Sequence, residues 1–181
     1  MANGSPIRVI GIDPGSNVTG WGVIDGLGQR QQVVEYGTIR LNGKDPLPQR
    51  LQQIHAQLLT IIERLHPHEM AVEEVFVSQN VQSALKLGHA RGAAIVAGAQ
   101  MGLPVAEYTA VQVKKAVVGY GRADKNQMQE MMRMLLNLEK KPAQDAADGL
   151  AIAMCHLNQR QWHQQTVPSA ILGIKQGSVR R

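Results

Sequence analysis

Cysteine is nearly missing from this 181-residue chain, and the single one, Cys155, excludes an intrachain disulfide. Its place on an apolar helical stripe marks it as a small buried hydrophobe, so a thiol nucleophile is set aside. Aromatic residues are scarce at 3%, with Phe76 the only phenylalanine. No apolar run reaches the ~18 residues that a membrane span needs, and Met1 to Pro6 carries no signal-peptide pattern. The expectation is a soluble, cytoplasmic protein. The chain also has no internal repeat, no low-complexity segment and no evident Ser/His/Asp arrangement.

What is present is enough for one domain that buries a core without disulfide or metal staples. The 44% hydrophobic fraction agrees. A net charge of +5 favours a polyanionic partner, nucleic acid first. Carboxylates concentrated at a few strand and helix ends then call for an explanation.

The first such carboxylate is Asp13. Apolar residues of both parities from Ile7 to Ile12 predict a strand covered on two faces. Asp13 ends it, Pro14 and Gly15 turn the chain, and Thr19 to Asp25 reads as a hairpin partner. Gly20 and Gly22 leave one side of that hairpin thin, so something is expected to approach closely there. Gln31 to Ile39 supplies a third antiparallel strand. Apolar residues at Leu47, Leu51, Ile54, Leu58, Ile61, Ile62 and Leu65 then keep a helical period, with Asp45 expected as cap and Pro46 at the first helical position. His66-Pro67-His68 reads as a solvated helix end and not as a metal site.

Glu69 to Phe76 predicts another short strand ending in carboxylates. A strand after such a crossover helix should run parallel to the first and bring its end to the same edge as Asp13, where ligands of open sheets gather. Alternation leaves Glu73 and Glu74 equally eligible. Asn80 to Met101 reads as a helix rich in small residues, with Gly88 as a break point, and Pro104 to Tyr108 as a further strand. Thr109…Gln112 and Asp124…Gln127 have capping-box spacing and should each open a helix. The residues from Asn158 onward, rich in glutamine and ending in Arg180-Arg181, are expected to form an irregular or disordered tail, 158–181, after a domain of residues 1–157 whose first six are expected to be disordered.

Asp145 and Asp148 stand three apart at the start of the last helix, opposite or beside its apolar stripe, with alanines between them that leave room for a ligand. Taken with Asp13 and one of the two glutamates, they would repel one another unless cations lie between them. Mg²⁺ or Mn²⁺, hard and oxygen-seeking, suits such donors. Two ions about 4 Å apart can clamp the attacking and leaving oxygens of a phosphodiester displacement.

Four stretches carry a resemblance in order along the chain: Gly11-Ile12-Asp13-Pro14-Gly15-Ser16, Val72-Glu73-Glu74-Val75-Phe76, Ser83 to Gly88 with Arg91-Gly92, and Asp145-Ala146-Ala147-Asp148. Together they resemble RuvC, the crossover-junction (Holliday junction) endodeoxyribonuclease family. The resemblance implies an RNase H-like α/β fold, with three antiparallel strands, then parallel strands, flanked by helices. It implies a homodimer that places symmetric nicks in four-way junction DNA with two Mg²⁺ or Mn²⁺ per site, in recombination and repair alongside RuvA and RuvB. It implies Asp13, Glu73, Asp145 and Asp148 as the catalytic metal ligands, choosing Glu73 over Glu74. Phe76 is implied as a wedge stacking on an unpaired base, and Lys114 and Lys125 as basic groups near the scissile phosphate. Lys86, Arg91 and Arg122 are candidate contacts to the DNA backbone, and the helix from Ser83 to Gln100 is the candidate dimer contact. Two other classes share features with the chain. An actin-like ATPase would use the Asp-x-Gly turn for phosphates but needs a second domain, and a non-catalytic junction binder would not need all four acids.

Overall fold

The structure, a computed structural model, describes residues 5–74, 81–119, 121 and 124–166. β1 (Ile7–Asp13), β2 (Val18–Leu27) and β3 (Arg30–Arg40) form an antiparallel meander. α1 (Leu47–Leu65) carries the chain back across the sheet, and β4 (Glu69–Glu73) adds to β1 in parallel. α2 (Val81–Gln100) leads to β5 (Val105–Tyr108), parallel to β4. The resulting five-stranded sheet has the order β3-β2-β1-β4-β5, the mixed arrangement expected. α3 (Ala110–Val118), α4 (Lys125–Leu135) and α5 (Gln144–Thr166) complete the chain.

Both faces of the sheet are covered, which is why β1 is apolar at both parities. Ile10 and Ile12 pack with Ile54, Leu58 and Ile62 of α1 and with Ala90, Ala94 and Ala97 of α2. On the opposite face Val9 joins Leu150, Ala151 and Cys155 of α5, Val113 of α3 and Met132 of α4. Capping boxes open α3 and α4 as the spacing required, Thr109 with Gln112 and Asp124 with Gln127.

Several local expectations change. Asp45 does not cap α1: its carboxylate accepts from Asn42 and Gln53 side chains, and Pro46 occupies the cap position. Gly88 does not interrupt α2, since its neighbours keep the i to i−4 bonding and the residue only leaves an open spot on the helix surface. β4 ends at Glu73, with Val75 and Phe76 outside the described residues. The residues from Asn158 do not begin an irregular tail, because α5 continues to Thr166. Their polar side chains find partners: Asn158 accepts from Gln31 Nε2 at 2.7 Å, Arg160 pairs with Glu69, and Gln161 donates to the Gly28 carbonyl. Glu69 also meets His156 Nε2 at 2.6 Å, and the other ring nitrogen of His156 lies 2.8 Å from the Tyr108 hydroxyl.

The thin hairpin receives α5. A Cβ built on Gly20 would stand 1.8 Å from the Asp145 carbonyl oxygen, and one on Gly22 would stand 2.6 Å from the Leu150 side chain. Gly149 answers from the helix, where a Cβ would meet the Trp21 backbone at 2.6 Å. Helix and sheet therefore touch backbone to backbone, and the start of α5 is set directly over the tip of the hairpin.

Candidate active site

Asp13 is the last residue of β1 and is paired across the ladder with Gly20. Because the Asp145 backbone rests on Gly20, the first turn of α5 is placed beside Asp13 by a contact only glycine permits. Asp148, one turn on, follows. The β1–β4 pairing aligns Ile12 with Val72, so Glu73 is one residue beyond, at the same edge as Asp13. Four acidic residues from β1, β4 and α5 thus meet at the C-terminal edge of the parallel strands.

Their charges confirm the proximity. Burial, then the charges of Glu73, Asp148 and Asp145, push the Asp13 carboxyl up to about 8. Burial also raises Glu73, against a hydrogen bond from Asp13 and the opposite charge of Lys114. Asp148 rises to about 6 through burial, then Glu73 and Asp145, with Lys125 and Lys114 opposing. Both carboxyls of the Asp13–Glu73 pair are raised, so the pair retains a shared proton to higher pH than free carboxyls do in the absence of cations.

Glu74 is exposed, and it is Glu73, Asp148 and Asp145 whose charges act on Asp13. Packing thus puts Glu73 beside Asp13, a placement that strand alternation left undecided. The two glutamates and Asp13 line a cleft of ≈ 450 Å³ together with Pro14, Leu87, Thr109, Ala110 and Val111. A more open groove of ≈ 1030 Å³ runs beside β3 and residues 136–140, on the other edge of the sheet from the acidic group.

The turn after Asp13 is held from two sides. Thr19, fully buried, donates its hydroxyl to the Gly15 carbonyl at 3.2 Å and accepts from the Gly15 N–H at 3.3 Å. Arg50 of α1 donates to the Ser16 carbonyl at 2.9 Å. The role of Arg50 has no signature in the sequence, since it lies 34 residues from its partner.

The basic candidates separate. Lys114 on α3 is half-buried and acts on Glu73 and Asp148, while exposed Lys125, the first residue of α4, acts on Asp148. Lys86 is exposed on α2. Arg91 turns inward, with Nε donating to the Glu73 carbonyl at 3.1 Å and the guanidinium paired with Glu107. Phe76 and Arg122 lie outside the described residues. Ala146 and Ala147 do not leave room for a ligand: both are buried, and their small size lets α5 lie close to the sheet.

The donor set suits hard divalent cations, because it is all carboxylate and burial together with mutual repulsion raises Asp13 to about 8 and Asp148 to about 6. Among the described residues, no three or more His, Cys, Asp or Glu side chains already form a closed metal cage. Uncompensated like charges oppose such a cage, and cations would draw it together while releasing protons.

A stability consequence follows. The raised carboxyls give the metal-free fold a contribution that is complete below the unfolded value near 4 and is lost as pH rises through about 6 to about 8. In that window the folded chain binds more protons than the unfolded one, so unfolding becomes easier with rising pH. The metal-free protein is expected to melt several degrees lower at pH 8.5 than at pH 5.5. Saturating Mg²⁺ should reduce the difference. Calorimetry in EDTA across this range is the measurement, and a melting temperature that rises with pH would contradict the site.

Comparison with known proteins identifies the family. The family described as crossover junction endodeoxyribonuclease RuvC matches residues 9–156. The crossover junction endodeoxyribonuclease RuvC of Magnetococcus marinus is 88% identical over 177 residues, covering 98% of this chain and 98% of that protein. That of Geobacter sulfurreducens is 54% identical over 152 residues, covering 84% of this chain and 93% of the relative. A solved structure of T. thermophilus RuvC in complex with Holliday junction substrate superposes with a TM-score of 0.81 at 34% identity, covering 87% of this chain and 96% of that one.

Proposed function

We propose, since this chain belongs to the RuvC family of metal-dependent crossover junction endodeoxyribonucleases and is a Holliday junction resolvase, that Asp13, Glu73, Asp145 and Asp148 hold two Mg²⁺ ions, with Mn²⁺ able to substitute. Ions held there supply Lewis-acid stabilisation of the attacking and leaving oxygens in hydrolysis of a phosphodiester. The observation that carries this reading is the meeting of four carboxylates at one sheet edge, where burial first and their mutual charges second raise Asp13 to about 8 and Asp148 to about 6.

The chain's own groups do the remaining work. Asp13, on which the charges of the other three carboxylates act, would hold the cations in its ionised form, with Glu73, Asp145 and Asp148 as the further ligands. Lys114, whose charge acts on both Glu73 and Asp148, offsets charge that develops on the scissile phosphate. Lys125 adds to that field from the start of α4, and Lys86 with Arg122 contacts the DNA backbone. Phe76, three residues on from Glu73 in the sequence, stacks on an unpaired base at the junction centre. The product is a junction resolved by two symmetric nicks, in recombination and repair, in the cytoplasm and in concert with RuvA and RuvB.

Paired nicking needs two active sites, and a two-fold substrate suits a homodimer. The contact is assigned to α2, where Val81, Leu85 and Val96 are exposed at 64%, 59% and 55% and added Cβ atoms at Gly88 and Gly92 would meet nothing within 4 Å. A second copy could therefore come close along that face. Leu85→Arg is expected to shift the protein from dimer to monomer in sedimentation and to abolish paired nicking of a synthetic four-way junction in Mg²⁺. A dimer that persists in the variant would move the interface elsewhere, and a wild type that leaves the junction intact would sink the functional reading as a whole.

A further inference from the structure

We propose that Arg91 is a positioning residue for Glu73 and not a contact to DNA. Arg91 lies within α2, over the end of β4. Its Nε donates to the Glu73 backbone carbonyl at 3.1 Å, and its Nη2 pairs with the Glu107 carboxylate on β5. One guanidinium therefore ties α2 to two neighbouring strands at the point where the sheet gives way to the cleft.

The position of that tie matters because of where strand pairing stops. β4 is paired with β1 up to Ile12 and Val72, so Glu73 lies one residue beyond the last β1 partner. On the other side its register partner is Tyr108, and Glu74 donates to the Tyr108 carbonyl at 2.8 Å. Arg91 grips the Glu73 carbonyl at the place where β1 no longer constrains that residue. The torsions of Glu73 aim its carboxylate, and a metal ligand has to be held within about 0.5 Å of its working position. Partners of this kind behind a ligand typically change metal affinity or activity by about 10- to 100-fold.

Electrostatics points the same way. The Arg91 side chain is only 21% exposed, and the Glu107 carboxylate beside it is 44% exposed and faces solvent. A DNA phosphate at this guanidinium would also face the more exposed Glu107 carboxylate paired with it and be repelled. The two acceptors belong to different strands and are met by two donors of one guanidinium edge, which a lysine, with a single point of charge, does not reproduce.

The test uses the full-length enzyme on a synthetic four-way junction, with Arg91→Gln, Arg91→Lys and Glu107→Gln. Positioning predicts that Arg91→Gln lowers kcat about 10- to 100-fold and raises the Mn²⁺ concentration giving half-maximal binding in metal titration calorimetry. Junction affinity in EDTA should stay within about twofold, with the slope of log Kd against log salt unchanged, and Arg91→Lys should not rescue. A phosphate contact predicts the reverse: binding weakens uniformly and the salt slope falls by about one, with kcat at saturation retained. Glu107→Gln gives opposite signs and alters only an exposed group, so it decides the matter even if Arg91 variants fold poorly. Positioning requires lower kcat with unchanged affinity, whereas a DNA role for Arg91 requires tighter junction binding once the repelling carboxylate is gone.

The inference rests on Glu73 being a metal ligand. If Glu73→Gln cut at the wild-type rate, that premise would fail. If Glu73→Gln were inactive while Arg91→Gln and Glu107→Gln kept wild-type kcat and metal affinity, the positioning role alone would be overturned.

Discussion

Asp13→Asn is expected to lower junction cleavage by about 10³-fold or more, equivalent to about 4 kcal/mol of transition-state stabilisation, while junction binding is kept or tightened. The substitution preserves volume and removes the one carboxylate on which the charges of Glu73, Asp148 and Asp145 all act. Its loss would weaken the hold of the proposed ligand set on its cations, so chemistry is lost and not folding. Binding should not suffer, because one negative charge fewer faces the DNA. The same change relieves a buried carboxyl pushed up to about 8, so the metal-free variant should be more stable than wild type at pH 8.5 by a few kcal/mol, at about 1.4 kcal/mol per pKa unit. For a chain of this size each kcal/mol corresponds to roughly 2–4 °C in melting temperature. Single-turnover cleavage of a labelled junction, with gel-shift binding in Ca²⁺, separates the two effects. Cleavage within tenfold of wild type would remove Asp13 from the centre of the site.

Gly20→Ala should be the most damaging small substitution away from the ligands themselves. The added methyl would lie 1.8 Å from the Asp145 carbonyl oxygen, and that atom belongs to a helix backbone that cannot swing aside like a side chain. Overpacking of this kind costs about 1–3 kcal/mol or more. Activity should fall further than stability suggests, by about 10²-fold, because the start of α5 carries Asp145 and a displacement near 1 Å misaligns a reacting group. Gly43→Ala is the control: its methyl would meet only Asn17 Oδ1 at 3.7 Å, and both stability and cleavage should stay at wild-type levels. A Gly20→Ala enzyme that melts and cuts like wild type would show that α5 is not seated on the hairpin as described.

Much of the architecture follows from local pattern. Apolar residues at both parities in β1, the helical period of α1 and the two capping boxes depend on near neighbours, and each is found where the pattern places it. Turn chemistry at Pro14-Gly15 and the crossover of α1 bring the ends of β1 and β4 to one edge. Where local pattern misled, a distant partner intervened. Asn158, Arg160 and Gln161 look like the start of a polar tail, yet Gln31, Glu69 and Gly28 hold them in α5. Asp45 has the right chemistry for a cap but is engaged by Asn42 and Gln53. Arg91 looks like any surface base until Glu73 and Glu107 are placed around it.

The amino-acid sequence by itself determined the mixed α/β order and the acidic residue types, because strand periodicity, turn residues and caps act over a few positions. The resemblance of its motifs implied one set of four carboxylates, but the physical reason that they share a field lies in the tertiary structure. Glu73 and Glu74 are equivalent by alternation, and only the packing of β4 against β1 and α5 turns Glu73 toward Asp13 and leaves Glu74 in solvent. The raised carboxyls, the seat of α5 on Gly20 and the inward turn of Arg91 have the same origin. They depend on groups far apart in the chain meeting where water is excluded, and neither spacing nor composition encodes that meeting.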